Sequence, residues 1–388
     1  MIHLYHGWVV AVLVIATFPL IYYLLAIFAA LAFSRRAKAQ APATSTFEPP
    51  VSILKPVHGV DFGSYENYAS FCQQDYPEYE ILFAVNNKSD RAIAVLTQLI
   101  ADYPQRHINL LIGAEFFGAN QKVNNLVRLT REAKHEVLAL SDGDVRVGPN
   151  YLRNVVAPLR DENVGAVTSF YRSIAQNDLY AELEAVGAAS DFFAGVLMAA
   201  WTEGVKFTLG ASVATTKTWM QKIGGFEAIA AFLADDYEIG RRVAQAHGRV
   251  VLSYETVSTM YPAQALRSFW QHQLRWARTV RLCRPASYAA LLFTQGLPWV
   301  IAAAVLAPAH WIAASYLLTY FVLRLTMAWL VGVSVVGDGV VRRRLWLVPL
   351  WDAIHFVVWT ASFASNHIVW GNVEYVIDRG RMKPAAAP

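Results

Sequence analysis

Val137-Leu-Ala-Leu-Ser-Asp-Gly-Asp-Val-Arg-Val147 is the stretch whose reading decides the fold. Val137 to Leu140 are apolar and run through Ser141 into Asp142-Gly143-Asp144. A short apolar run closed by a turn reads as a buried strand. In an open α/β sheet, ligands bind beyond the carboxyl ends of the strands. Asp142 and Asp144 are two residues apart, so extended backbone points both the same way. Two such carboxylates make a hard-oxygen site for Mg²⁺ or Mn²⁺, through which a diphosphate can be held. The same residues also suit an acidic Asp-Gly turn that only ends a strand.

The composition around this stretch is too apolar for an ordinary soluble protein. Of 388 residues, 55% are hydrophobic and 16% charged, and mean hydropathy is positive. The formal net charge is only +4, so nucleic acid is not an expected partner. Basic residues cluster beside apolar runs, as at an anionic membrane surface. Cys72 and Cys283 lie far apart without metal-ligand spacing and read as reduced thiols in a cytoplasmic setting.

Trp8 to Phe33 carries no charge and is long enough to span a bilayer, where about 20 apolar residues suffice. Arg35, Arg36 and Lys38 follow, which places that end in the cytoplasm. The expected organisation is an anchor over 1–34, a linker over 35–50, a cytoplasmic globular domain over 51–286, membrane helices over 287–370 and a tail over 371–388. Val51-Ser-Ile-Leu-Lys-Pro56, Glu80 to Val85, His107 to Ile112 and Glu136 to Leu140 read as strands. Helical patterns, Arg91 to Tyr103 and Gln121 to Ala133, separate them. Strand–helix alternation argues a parallel sheet with helices on both faces. The C-terminal apolar region divides into 287–306, 311–335 and 345–370. Arg342-Arg-Arg344 should be cytoplasmic, but a third crossing would then leave the basic tail Asp378 to Lys383 outside. The residues leave open whether one of these segments is re-entrant or interfacial. Ala185 to Trp201 has Asp191 near its middle and is expected at the membrane surface, with Phe192, Phe193, Leu197 and Trp201 as one stripe. An ordinary buried helix of the globular domain is the other reading.

Further carboxylates join the first pair. Asp90 follows the second strand, at the same rim as Asp142. It can accept the ring N–H of a uracil or start the helix after it. In Leu233-Ala-Asp-Asp-Tyr-Glu-Ile-Gly-Arg-Arg242, Asp235 suits a helix cap and Asp236 a general base for an acceptor hydroxyl. In Phe269 to Arg281, Arg275, Arg278 and Arg281 share one helical face, with Trp270 and Trp276 as apolar anchors. That face suits lipid phosphates, and Arg275 suits a leaving diphosphate.

Ser52-Ile-Leu-Lys-Pro-Val-His-Gly-Val-Asp61, Gln74-Asp-Tyr-Pro77, Asn120-Gln-Lys-Val-Asn-Asn-Leu126, Asp142 with its following Arg146-Val147, Ala234-Asp-Asp-Tyr237 and Arg275-Trp276 resemble ceramide glucosyltransferases in order and spacing. Tyr65 to Cys72 and His272 to Arg278 look most like the bacterial hopanoid-biosynthesis glycosyltransferases, which place N-acetylglucosamine on a bacteriohopanoid polyol. The resemblance implies a GT-A (Rossmann-like) nucleotide-sugar fold and inverting transfer from a UDP-sugar to a membrane lipid, in the bacterial inner membrane. It implies that Asp90 serves the uridine, Asp142 and Asp144 a Mn²⁺ or Mg²⁺ ion and the diphosphate, and Asp236 the acceptor hydroxyl. Arg275 with Trp276 would form the closing motif, whose first place is Gln or Arg in the wider family and His272 here. Lys55 and Lys122 would approach the nucleotide or stand as solvated surface lysines.

The reading is thus a membrane-anchored glycosyltransferase acting on a hopanoid polyol, with UDP-glucose to ceramide as the alternative. A processive polysaccharide synthase would need more helices for its channel. A transporter or scaffold would draw its support from Arg324, a charge inside an apolar segment.

Overall fold

A computed structural model of the chain describes residues 2–39, 47–370 and 373–385, so linker residues 40–46 lie outside the described residues. Two compact units form. One, a sheet unit, holds residues 47–174, Glu203–Pro262 and 373–385; the other, a helical unit, holds residues 2–36, Ala175–Thr202 and 263–370. This division interrupts the continuous 51–286 span suggested by the sequence.

The sheet unit is built on eight strands: β1 (Val51–Val57), β2 (Tyr79–Val85), β3 (His107–Ile112), β4 (Val137–Ser141), β5 (Val145–Arg146), β6 (Val164–Ala175), β7 (Ser212–Thr216) and β8 (Arg249–Tyr261). Their order is β3-β2-β1-β4-β7-β6-β8-β5. β1 pairs in parallel with β2 and β4, and β2 with β3. β1, β2 and β4 are buried at every position, which is why they read as mostly apolar runs rather than alternating ones. The sheet is not parallel throughout, however. β7 runs antiparallel to β4 and to β6, and β5 antiparallel to β8. β6 and β8 are 12 and 13 residues long and mix Ser, Thr and Tyr with Val, so no strand–helix alternation announces them.

Side chains alternate between two cores. Leu54, Leu82, Leu138 and Leu140 pack with Val123, Leu126 and Leu129 of helix Gln121–Glu132 and with Ile239 and Val243 of helix Asp235–Gln245. On the other face Phe83 meets Tyr68 edge-on at 5.4 Å, and Phe71 of the same helix, Ser64–Cys72, meets Tyr151 at 5.8 Å. The two faces thus hold helices that deliver side chains to the β1–β4 rim from opposite sides.

The helical unit carries the apolar helices. Among the described residues five are long and apolar enough to cross a membrane: Gly7–Lys38, Leu179–Thr202, Pro285–Leu306, His310–Val335 and Gly339–Ser362. The expected third C-terminal segment stops short, because His367–Trp370 is a strand. Chain connectivity limits which can cross. β6, before Leu179, and β7, after Thr202, pair in one sheet, so both ends of Leu179–Thr202 stay on one side of a bilayer. The amide of Met382 donates to Ala231 O and that of Leu233 to Gly380 O. The C-terminal strands therefore share the side of the sheet, and an even number of the three C-terminal helices crosses.

The stripe expected over Ala185–Trp201 is not formed. Phe193 and Leu197 are buried, whereas Phe192 and Trp201 are exposed. A π-helical turn, Ala188–Phe192, lies between helices Leu179–Gly187 and Phe193–Thr202. Its wider turn shifts the register, so a 3.6-residue periodicity fails across it.

Candidate active site

The sheet unit gathers charged side chains where β1 and β4 end. Lys55, on β1, is fully buried, against the ring of Phe71 at 3.8 Å. Its Nζ donates to the backbone carbonyl of Asp142 at 2.8 Å. A solvated surface lysine is therefore excluded at this position. Burial pushes the Lys55 ammonium down to about 7, against the pull of Asp142 and Asp144.

Lys122 reaches the same residue from the other face. It begins the second position of helix Gln121–Glu132 and pairs with Asp142 Oδ1 at 2.7 Å and Asp235 Oδ2 at 3.2 Å. Burial opposes its charge, but Asp142, Asp235 and Asp236 outweigh burial and raise its pKa. Its place is fixed by Asn120. The Asn120 side chain accepts from Val123 N at 3.1 Å as the helix cap and donates to Phe232 O at 2.9 Å. The amide of Asn120 donates to Ala230 O. The Asn-rich block thus ties Lys122 to the segment that leads into Asp235 and Asp236.

Helix Asp235–Gln245 starts at Asp235 itself, with Ala234 in the cap position and no side-chain capping bond. The expected cap role of Asp235 is therefore replaced by its pairing with Lys122. Asp236 Oδ1 accepts the amide of Tyr237 at 2.8 Å, and its carbonyl accepts the Thr208 hydroxyl at 2.7 Å. Burial, then the like charge of Asp235, push the Asp236 carboxyl up to about 6, with Lys122 opposing. A Cβ on Gly210 would stand 3.1 Å from Asp236 Oδ2 and 3.5 Å from Asp142 Oδ2. The missing side chain thus lets the two carboxylates approach closely. Pro56, Lys122, Asp142, Gly210, Asp235 and Asp236 line a shallow cleft.

Asp144 lies beside Asp142 in the turn, and burial and then the Asp142 charge push its carboxyl up to about 7. Such mutual repulsion is relieved by a cation. Among the described residues no group of three His, Cys, Asp or Glu side chains gathers to hold a metal. Two carboxylates with phosphate oxygens completing the sphere is, however, the usual Mg²⁺ arrangement. The donor set fits a divalent ion bound together with a diphosphate.

Asp90 lies beyond the end of β2, bonded to backbone just past the end of β1. Its side chain is 4% exposed, both oxygens lie 3.0 Å from Gly59 N, and Oδ1 accepts Ala92 N at 2.9 Å. The cap position of helix Ala92–Asp102 is Arg91, without a side-chain capping bond. His272, Arg275 and Trp276 lie on helix Leu266–Cys283 of the helical unit. His272 Nδ1 is 2.5 Å from the buried Glu184, and Trp276 faces His272 and Phe192 at ring distances of 5.3 and 6.2 Å. Burial lowers the Arg275 pKa while Glu184 opposes that shift. Arg278 and Arg281 donate to the carbonyls of His367 and Ser365, so they hold the chain rather than stand free for lipid phosphates. Asn120 stood in one of the blocks that carry the resemblance, but its capping role was not foreseen, and Gly210 and Glu184 were not singled out in the sequence.

A family model described as Glycosyl transferase family 21 matches residues 11–383. Ceramide glucosyltransferase 1 of Caenorhabditis elegans is 25% identical over 231 residues, 59% of this chain and 49% of that protein. A ceramide glucosyltransferase of Komagataella phaffii is 35% identical over 101 residues, 25% of this chain and 20% of that protein. The chain thus spans about half or less of the length of these curated relatives. A mannosyltransferase from Pyrobaculum calidifontis, solved with GDP-Man and Mn²⁺, is 17% identical with a TM-score of 0.50, covering 90% of this chain and 99% of its own. At that identity the likeness shows the fold alone, an α/β sheet of the GT-A type. The family match takes in the strand ends, the acidic cluster and the apolar helices alike: the chain belongs to glycosyl transferase family 21.

Proposed function

We propose that this chain is a membrane-bound hexosyltransferase that moves a sugar from a UDP-sugar to the hydroxyl of a membrane lipid. The observation that carries the reading is the convergence of Asp142 and Asp236 over Gly210, with Lys122 pairing to the acidic cluster. One carboxylate belongs to the Asp142–Asp144 pair suited to a metal-bound diphosphate. The other has no cationic side chain within pairing distance among the described residues, and its raised pKa suits proton transfer near neutral pH.

A Mg²⁺ or Mn²⁺ ion held by Asp142 and Asp144 would neutralise charge on the departing diphosphate. Lys122 adds fixed positive charge beside it, and Lys55 holds the Asp142 carbonyl in place. Asp236 takes the proton of the acceptor hydroxyl as its oxygen attacks the anomeric carbon. The new C–O bond forms on the face opposite the nucleotide, the bond to the diphosphate oxygen breaks, and UDP leaves with that electron pair. The sugar carbon is inverted. The relatives named above are ceramide glucosyltransferases, which supports glucose and ceramide. Transfer of N-acetylglucosamine to a hopanoid polyol is the narrower expectation of the motifs, and the same assay tests it.

Arg35, Arg36, Lys38 and Arg342 to Arg344 support a cytoplasmic sheet unit under the positive-inside rule, with a bacterial inner membrane as the membrane we propose. With an even number of C-terminal crossings, Pro285–Leu306 and His310–Val335 cross and Gly339–Ser362 does not. The transporter reading loses its basis, because Arg324 is paired with Asp352 at 2.7 Å and is 2% exposed. The test is transfer of labelled sugar from UDP-glucose or UDP-N-acetylglucosamine to ceramide or a hopanoid polyol by wild type and by Asp236→Asn. Release of UDP without a labelled lipid in the wild type would overturn the proposal.

A further inference from the structure

Polar groups of the helical unit concentrate where Leu179–Thr202 meets Gly339–Ser362. Inside the π-helical turn, Asp191 Oδ2 lies 3.0 Å from Nδ1 of His355 and 3.4 Å from the indole nitrogen of Trp351. The Trp351 and His355 rings stack at 5.9 Å with 9° between planes. A Cβ on Gly187 would stand 2.3 Å from the Trp351 ring, so the absence of a side chain there lets the indole lie flat against the helix.

Two kinds of charge are present. Arg324 is buried, donates to the Ser190 carbonyl at 3.1 Å and pairs with Asp352, which also accepts the Tyr320 hydroxyl at 2.6 Å. That set is satisfied and fixes the residue before Asp191. Asp191 and His355 differ: their side chains are 27% and 25% exposed. The bond to Nδ1 leaves Nε2 as the free ring nitrogen, and among the described residues no hydrogen bond or ion pair reaches it. Both residues sit on apolar helices that connectivity and the positive-inside rule keep on one side of the membrane. The pair is thus a partly exposed polar spot on two otherwise apolar helices. π-helical turns are frequent at functional sites. The Phe192 ring, next in the chain, is exposed beside Trp276.

We infer that Asp191 and His355 form the docking site for the hydroxyl-bearing head of the lipid acceptor. His355 Nε2 accepts or donates to a lipid hydroxyl, the outer oxygen of Asp191 accepts a second hydroxyl or an amide N–H, and Trp351 and Phe192 pack against the start of the hydrocarbon. The shared chemistry is a pair of adjacent polar donors on an apolar body, offered by both a ceramide and a hopanoid polyol. The inference rests on the lipid-acceptor reading above.

Two arms test it on the full chain in detergent. In the first, a photoreactive short-chain ceramide is bound without donor and labelled peptides are mapped. Label on residues 187–192 or 351–355, displaced by unlabelled ceramide or by a hopanoid polyol but not by the O-methylated ceramide, is expected. Label elsewhere, or equal displacement by the methylated lipid, overturns the inference. In the second arm, Asp191→Asn and His355→Phe are expected to raise the acceptor KM about tenfold, the effect of losing one or two hydrogen bonds, with the UDP-sugar KM unchanged. Parallel rises in both KM values, or none, would count against it. If the variants do not accumulate, the labelling arm decides alone. A wild type that binds the ceramide at these peptides but transfers no sugar would sink the proposed activity and leave the site standing.

Discussion

Replacing Asp236 by Asn removes the proposed base while keeping its shape. Burial and Asp235 hold the Asp236 carboxyl at about 6. Only about a tenth of it is then ionised at pH 5, and nearly all at pH 7.5. The wild-type kcat/KM should fall about tenfold per unit as pH drops below 6. Asp236→Asn should lower kcat by roughly 10²–10⁴-fold, about 3–5 kcal/mol in the barrier, and lose that acid limb. The sign for stability is opposite. A carboxyl whose pKa is higher folded than unfolded costs stability as pH rises from its model value of 3.8 through about 6. The neutral amide removes a cost of roughly 1–3 kcal/mol after allowing for partial exposure, so the variant should melt at or above the wild-type temperature at pH 7.5. The assays are kcat/KM across pH 5–8 with UDP-glucose and ceramide, UDP binding by calorimetry, and thermal melting. Retention of more than a tenth of wild-type kcat, or a collapse of UDP binding, would refute the assignment of Asp236 as base.

Asp142→Ala and Asp144→Ala should each weaken metal-dependent UDP binding by tenfold or more; calorimetry with and without Mn²⁺ reads this, and a wild type indifferent to metal would show that the pair is misassigned. Asn120→Ala removes a cap and the bond to Phe232 O, so a loss of about 1–2 kcal/mol in denaturant unfolding is expected, together with lower activity because Lys122 is no longer anchored. Phe193→Ser should prevent accumulation of folded protein, since burying a hydroxyl in place of a fully buried ring costs about 3–5 kcal/mol. Phe192→Ser, at an exposed position of the same helix, should accumulate normally.

Much of the sheet unit was legible because its parallel strands are buried on both faces. Val51 to Val57, Tyr79 to Val85 and Val137 to Ser141 announce themselves as short, mostly apolar runs, broken only by Ser52, Lys55, Glu80 and Ser141. Asp142, Asp144 and Asp236 stood out because carboxylates beyond apolar strands or at helix starts are chemically conspicuous. The antiparallel half was not legible. β6 and β8 are long, partly polar and unaccompanied by helices, so no period marks them. Lys55 reads as a surface residue in sequence, since nothing local shows that Phe71 and the Asp142 carbonyl will enclose it. The bond from Gly59 N to Asp90 joins residues 31 positions apart, so nothing local announces it. The π-helical turn at Ala188–Phe192 defeats periodicity by its nature.

The most direct test of the account is analysis of the lipid product. The purified full chain is incubated with UDP-glucose or UDP-N-acetylglucosamine and with ceramide or a hopanoid polyol, and the product is examined by mass spectrometry and by NMR of the anomeric centre. The account predicts metal-dependent transfer of a single sugar to a lipid hydroxyl, with the anomeric configuration inverted relative to the donor. A retained configuration, an extended sugar chain, or UDP release with no glycosylated lipid from any donor–acceptor pair would contradict it.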